Sequence, residues 1–265
     1  MRLYIQTKSH VLTILSLLSV MTLMYIIQNM LHSKQLPRDI SDVAKASGYY
    51  GTGCSGKPAF RERYKTLLRF WEAIAGRRNI TEYFLCFGSM LGASRDGNIV
   101  PYDHDIDICM FRKDLHKLEP EDEKRPFNYN DGKPHMILQR QCDHYLKSGI
   151  ERKDCNGKVV TEHVDVCSFL YPCARIIHGY RPFLDVFTFK DNAEELLDEY
   201  KHVKHKRSTI LPIKSCQLMG INTKCPNNST TYLRRYYGKN YAKPHYLCKD
   251  NKWVATGKKV RPIRI

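Results

Sequence analysis

An uncharged, largely apolar run fills residues 11–31, behind Arg2 and Lys8. As a helix, this run is long enough to cross the hydrocarbon core of a bilayer, which is about 30 Å thick. A cleaved signal peptide is the alternative, but its apolar part is usually shorter and is closely followed by a small-residue cleavage site. The nearest such site, at residues 44–46, lies well downstream. We therefore predict a transmembrane signal anchor.

The predicted anchor divides the chain. Residues 1–10 form a cytosolic tail, residues 32–57 form a polar, glycine-containing stem, and residues 58–265 form one domain of catalytic size. We expect this domain to lie in the lumen of the Golgi or endoplasmic reticulum, in a single-pass type II arrangement. Lys34 and Arg38 follow the anchor and weaken the charge asymmetry that sets this orientation.

Cysteines and glycosylation sequons agree with a lumenal address. The ten cysteines suit an oxidising compartment. N-glycosylation sequons begin at Asn79, Asn227 and Asn228.

The net charge of +16 would suit nucleic acid, an anionic membrane or a phosphorylated substrate. A lumenal domain does not meet nucleic acid, so we exclude that partner.

Two disulfides are predicted from the cysteine spacing. Short polar loops separate Cys142 from Cys155 and Cys216 from Cys225, so we expect these cysteines to pair. Cys86 and Cys109 lie in apolar runs, where two buried, unpaired thiols are as consistent with the sequence as a disulfide.

The pattern of apolar residues predicts a mixed α/β (α+β) domain. After Pro58, apolar residues recur at spacings of three and four as far as Ile74, which is typical of an amphipathic helix. Short apolar runs at residues 82–88 and 106–111 are typical of buried strands. Further strands are predicted at residues 135–139, 159–166, 174–177, 183–189 and 210–213, and helices at residues 193–200 and 230–237.

Acidic residues alternate with other residues at the start of the second predicted strand. Asp103, Asp105 and Asp107 lie two residues apart. In an extended backbone, such side chains share one face and lie about 6 to 7 Å apart. Their carboxylates repel one another unless a cation lies between them, and Mg²⁺ prefers oxygen ligands. The sequence therefore predicts a Mg²⁺ (or Mn²⁺) site that includes Asp105 and Asp107.

A phosphate-binding segment is predicted where the first strand ends. Gly88 and Ser89 enter a short helix, whose first N–H groups can bind an anion, and glycine allows close approach. The Ser89 hydroxyl can also donate. Arg95 is near enough in sequence to reach the same anion, although a solvated surface arginine is the alternative.

A resemblance to a known family is carried by residues 83–111, which read YFLCFGSMLGASRDGNIVPYDHDIDICMF. This segment resembles the signature of the LicD family, which includes fukutin and fukutin-related protein. Tyr102 stands where that family usually has tryptophan, and His104 where it usually has aspartate. Residues 179–189 and 210–244 resemble later family blocks, and residues 112–160 match poorly.

The resemblance implies a nucleotidyltransferase-like fold, a mixed β-sheet flanked by helices. It also implies that Asp185 is the third metal ligand beside Asp105 and Asp107, although Asp165 lies in a similar strand-like run. The catalytic residues would then be Asp103, Asp105, Asp107 and Asp185. The candidates for the general base are Asp103, Asp185, His104 and His178.

The reaction implied by the resemblance is phosphotransfer. A phospho-alcohol group, of the phosphocholine or ribitol phosphate type, would pass from a CDP-linked donor to a glycan on a glycoprotein or glycolipid, with CMP leaving. Gly88 and Ser89 would hold the donor diphosphate. The alternative is a catalytically inactive lumenal protein that binds a glycan or a partner glycosyltransferase. The change at His104 favours this alternative, and the intact set of aspartates opposes it.

Overall fold

The computed structural model of the protein describes residues 58–101, 103–142, 151–250 and 252–256. No helix within these ranges is long and apolar enough to cross a membrane. The predicted tail, signal anchor and stem lie outside the described residues, and so does Tyr102.

Helix α1, Pro58–Arg77, confirms the predicted amphipathic helix. Its apolar face buries Leu67, Trp71 and Ile74 completely. These residues are three or four positions apart, so they form one stripe on the helix. The Trp71 ring meets the ring of Tyr83 edge-on, with centroids 5.3 Å apart. Helix α1 is therefore held against the strand that follows it.

The strands of the first part of the chain have the following bounds. They are β1 (Tyr83–Leu85), β2 (Asp105–Phe111), β3 (His135–Leu138), β4 (Arg152–Lys153), β5 (Val159–Val160), β6 (Ala174–Ile177), β7 (Phe183–Asn192), β8 (Glu195–Asp198) and β9 (Lys204–Lys206). Within the described residues, seven of them form one sheet in the order β1-β2-β7-β6-β3, with β8 on β7 and β9 on β8. Strands β4 and β5 form a separate small hairpin.

The centre of the sheet is the parallel pair of β2 and β7. The other strand pairs of the described sheet are antiparallel, so the sheet is mixed, as predicted. In the β2–β7 register, Asp107 lies directly opposite Asp185. Strand β6, on the other side of β7, places Arg175 opposite Asp185. Three neighbouring strands therefore carry charged residues in one row.

Helices and hairpins cover the sheet and its ends. They are α2 (Phe87–Asp96), a 3-10 helix (Arg112–Glu121), α3 (Arg207–Ile210), the hairpin of β10 (Lys214–Leu218) and β11 (Ile221–Cys225), α4 (Ser229–Tyr237), and the hairpin of β12 (Tyr246–Lys249) and β13 (Lys252–Ala255). The predicted last helix is confirmed as α4. The Asn228 side chain accepts from the Thr231 N–H at its start, and Gly238 ends it with φ +77°.

Three predictions of secondary structure are wrong. Residues 193–200 form a turn and β8 instead of a helix, because Ala193 has φ +64° and the chain folds back so that β8 pairs with β7. Only Val159–Val160 is a strand in the run predicted as residues 159–166. The strand predicted at residues 210–213 is absent there, since α3 ends at Ile210 and β10 begins at Lys214.

Disulfides join eight of the described cysteines. The pairs are Cys86–Cys109, Cys142–Cys173, Cys155–Cys167 and Cys216–Cys225. The predicted Cys216–Cys225 pair is confirmed. The predicted pairing of Cys142 with Cys155 is wrong, because antiparallel β3 and β6 bring Cys142 to Cys173, with Cα atoms 4.9 Å apart. The four disulfides indicate an oxidising, secretory-pathway compartment.

Candidate active site

Carboxylates from β2, from β7 and from the loop before β2 meet on one face of the sheet. Asp107 and Asp185 are paired across the parallel strands and are both buried. Asp103, His104 and Asp105 each offer a ligand atom within 4.8 Å of the others. The His104 ring is exposed, and its Nε2 lies 3.8 Å from Asp105 Oδ2. The structure thus brings together the four predicted catalytic aspartates.

The start of α2 is packed directly against these acids. A Cβ atom at Gly88 would lie 2.2 Å from Asp103 Oδ2 and 3.6 Å from Asp107 Oδ2, so any larger residue here would displace the Asp103 carboxylate. The Gly88 N–H donates to the Asp107 carboxylate. One of the free N–H groups at this helix start therefore binds a side chain of the protein.

The other two predicted phosphate-binding residues lie in different places. Ser89 is buried, and its Oγ accepts the N–H of Asp107 at 2.8 Å, which fixes β2 against α2. Arg95 lies in the last turn of α2, where its Nε donates to Asp96 Oδ2 at 2.8 Å. At 1.5 Å per residue, this turn lies about 10 Å along the helix from Gly88. The structure brings Ser89 to the acids, and it places Arg95 at the other end of α2.

Burial and mutual repulsion raise the pKa values of the carboxyl groups in the cluster. For Asp107, burial raises the pKa most, and Asp105, Asp103 and Asp185 add to the shift. For Asp103, burial and then Asp105 raise the pKa. Burial also raises the pKa of Asp185, although a neighbouring guanidinium opposes this shift. These carboxyl groups are crowded and repel one another when ionised. A hard divalent cation, which prefers oxygen ligands, would remove that repulsion.

Arg175 is a residue of the site that sequence reasoning missed. Its Nε donates to Asp185 Oδ1 at 2.7 Å, and its second terminal nitrogen donates to Asp185 Oδ2 at 2.8 Å. The guanidinium lies 4.9 Å from the ring centroid of Phe169 and 4.4 Å from that of Phe183. Its position inside the apolar strand Ala174–Ile177 was the available signal. Arg175 holds Asp185 in one orientation.

Asp165, the alternative to Asp185, has a different setting. Its carboxylate accepts the backbone N–H groups of Cys155 (2.7 Å), Cys167 (3.0 Å) and Ser168 (3.1 Å). The Cys155 and Cys167 sulfurs lie close to Asp165, but they are bonded to each other and cannot bind a metal as thiolates. Asp165 therefore stabilises a turn, and Asp185 is the residue that lies beside Asp107.

An aromatic wall borders the acids on the side of β8. The Phe187 ring centroid lies 5.2 Å from that of Phe87 and 4.7 Å from that of Tyr200. Burial raises the pKa of the Tyr200 hydroxyl, and Asp107, Asp185 and Asp105 contribute next. The Lys201 ammonium lies 4.2 Å from the Tyr200 centroid. The sequence does not reveal this wall, because it predicts a helix at residues 193–200.

The remaining predicted site residues lie outside the cluster. His178 follows β6, and its Nε2 contacts the Gly132 carbonyl oxygen at 3.1 Å. Asn79 is exposed just after α1. The side-chain amide of Asn227 donates to the Ser208 carbonyl at 2.8 Å, and Asn228 caps α4.

Residues 79–228, more than half of the chain, match the family model described as the LicD/FKTN/FKRP nucleotidyltransferase domain. The matched range contains all four aspartates of the cluster and also Gly88, Arg175 and Lys201. The curated proteins include no match to the chain.

Proposed function

Since the chain belongs to the LicD/FKTN/FKRP nucleotidyltransferase-domain family, we propose that it is a metal-dependent phosphotransferase. It moves a phospho-alcohol group, of the phosphocholine or ribitol phosphate type, from a CDP-linked donor to a glycan. The observation that carries this proposal is the buried pair Asp107 and Asp185, held in register on parallel strands beside the start of α2.

The four aspartates of the cluster suit Mg²⁺ or Mn²⁺, because they offer carboxylate oxygens that crowd each other without a cation. Asp105, Asp107 and Asp185 would hold the ion. When bound, the ion supplies positive charge that neutralises the donor diphosphate.

The surrounding residues orient this set. The Gly88 N–H fixes the Asp107 carboxylate, and the Arg175 guanidinium fixes that of Asp185. Phosphoryl transfer depends mainly on such positioning and on charge stabilisation. Asp103 remains outside the metal set, and burial raises its pKa, so we assign it to accept the proton of the attacking glycan hydroxyl.

The proposed location is the lumen of the Golgi or endoplasmic reticulum, behind a single-pass type II anchor at residues 11–31. The four disulfides support an oxidising compartment. Protease added to intact microsomes should spare residues 58–265, and an endoglycosidase should increase the mobility of the protein on a gel. Digestion of the domain in intact microsomes would contradict this location.

The test of the proposed activity measures CMP release from CDP-choline and CDP-ribitol, with and without Mg²⁺. Asp107→Asn keeps the shape of the side chain and removes a charged ligand. We expect its rate to fall about a hundredfold to a thousandfold, as for the loss of one charge-stabilising group. Asp165→Asn is the matched control, since Asp165 binds only backbone N–H groups in the contacts described above, and it should keep its activity.

Activity that is indifferent to a chelator, or unchanged in Asp107→Asn, would contradict the proposal. The alternative of an inactive protein that binds a glycan or a glycosyltransferase predicts no CMP release from any donor. It also predicts that binding of the glycan or partner survives in Asp107→Asn.

A further inference from the structure

The turn after β8 has a fixed conformation that presents Tyr200 and Lys201. Asp198 Oδ1 accepts the backbone N–H groups of both residues, at 2.8 Å and 3.1 Å. The Tyr236 hydroxyl donates to Asp198 Oδ2 at 2.7 Å. Asp198 is fully buried, so these bonds are shielded from water. The position of Lys201 is therefore determined by the packing of α4 against the β8–β9 segment.

The Lys201 side chain is half-buried against aromatic rings. Its ammonium lies 4.2 Å from the centroid of Tyr200 and 5.8 Å from that of Phe87. In the described part of the chain, no carboxylate lies within 4.0 Å of this ammonium. Burial lowers the pKa of Lys201, while Asp198 and Asp107 oppose that shift. A positive charge is thus held partly out of water, with no ion-pair partner among the described residues.

This charge lies at the border of the acidic cluster. Phe87 immediately precedes Gly88, whose Cα faces Asp103 and Asp107. Tyr200 packs on Phe187, which is two residues after Asp185 on β7 and therefore on the same face of the sheet. The two rings under the ammonium, Phe87 and Tyr200, both contact Phe187 and belong to the aromatic wall that borders the acids.

We propose that Lys201 binds a phosphate oxygen of the donor diphosphate, as a positive charge on the opposite side of that group from the aspartates. This inference rests on the proposed function. Aromatic faces are a common site for a quaternary ammonium, but here an ammonium of the protein already covers them. The border at Lys201 therefore attracts an anion and repels the choline group of a donor.

The test compares the Kd of CDP, in the presence of MgCl₂, for the full chain in detergent and for three variants. Lys201→Met removes the charge and should weaken CDP binding about tenfold to hundredfold, as for a lost charged hydrogen bond. Lys201→Arg keeps the charge and should bind CDP within about threefold of the unmutated chain. Lys204→Met is the matched control, because Lys204 lies on the same hairpin, is exposed and pairs with Glu195 at 3.0 Å. Its Kd should not change.

Four outcomes would overturn the inference. Unchanged CDP binding by Lys201→Met, or equal losses in Lys201→Met and Lys201→Arg, would show that the charge does not bind the diphosphate, while the proposed function would stand. A loss confined to glucose 6-phosphate, titrated in the same way, would assign Lys201 to a phosphorylated acceptor. If the unmutated chain does not bind CDP with MgCl₂, the proposed function fails and this inference fails with it.

Discussion

At the scale of single residues, Gly88 shows how closely the acids are packed against α2. The Oδ2 atom of Asp103 occupies the place that a Cβ atom would need, 2.2 Å away. Gly88→Ala should therefore displace Asp103 and disturb the metal site, and we expect CMP release to fall at least tenfold. The measurement is the rate of CMP release across a series of Mg²⁺ concentrations.

Gly76 provides the control for this substitution. It lies near the end of α1, and a Cβ atom there would meet nothing within 4 Å. Gly76→Ala should keep its activity and stabilise the protein by about 0.5 to 1 kcal/mol, because alanine restricts the unfolded chain. Equal activity of the two variants would show that Asp103 tolerates the displacement.

Residues that act through a local pattern could be predicted, and residues that act through a distant pairing could not. The alternation at Asp105 and Asp107 is a property of one strand, so the sequence alone placed both carboxylates on one face. Arg175 and Asp185 are brought together by the register of two antiparallel strands. That register depends on the folded sheet, so Arg175 carried no sequence signal beyond a charge in an apolar strand.

At the scale of elements, the same distinction explains the error at residues 193–200. Leu196 and Leu197 lie four and three residues before Tyr200, a spacing that fits a helix as well as the strand that forms. The sequence does not contain the reason for the strand. That reason is the pairing of β8 with β7, through residues such as Leu197 opposite Lys190. The aromatic wall and Lys201 follow from this hairpin, so they could not be found before it.

A series of hydrogen bonds joins α4 to the β8–β9 segment. The Tyr236 hydroxyl has one hydrogen and donates it to Asp198, so His205 Nε2, 3.0 Å away, must donate to the Tyr236 oxygen. Burial, assisted by Arg235, lowers the pKa of His205 to about 4. The ring is therefore neutral at any pH near 7.

Tyr236→Phe should break this series of hydrogen bonds, because the Tyr236 hydroxyl is its central member. It leaves the buried Asp198 oxygen and the His205 N–H without their partner, which costs about 1 to 3 kcal/mol of unfolding free energy. The turn at Lys201 should loosen, so CDP binding should weaken as well. Tyr241→Phe is the control, since its hydroxyl makes an exposed 3.3 Å bond to Thr230. Urea unfolding and CDP titration of both variants provide the measurement, and equal effects of the two would exclude a special role of Tyr236.

At the scale of the whole molecule, charge is distributed unevenly. The chain has a net charge of +16, yet four carboxylates meet on one face of its central sheet. Two carboxylates 4 Å apart repel by roughly 4 kcal/mol at an effective dielectric constant near 20. The fold keeps this repulsion because the disulfides, the packed α1 and the β2–β7 pairing stabilise the sheet around it. A cation that neutralises the cluster should therefore stabilise the whole domain.

Mg²⁺ should raise the Tm of the unmutated full chain, because an ion that binds only the folded state stabilises that state by mass action. At a concentration of about one hundred times its Kd, the gain is about 2.7 kcal/mol, or roughly 5 to 10 °C for a domain of this size.

In Asp107→Asn the Tm shift caused by Mg²⁺ should vanish. In EDTA, this variant should melt no lower than the unmutated chain, because one source of repulsion is gone. Asp165→Asn should melt lower in EDTA, since it weakens the turn at Cys155 and Cys167, but it should keep the full Mg²⁺ shift. Thermal melts at matched ionic strength, with and without Mg²⁺, separate these cases. A Mg²⁺ shift that persists in Asp107→Asn and disappears in Asp165→Asn would place the cation away from the β2–β7 cluster.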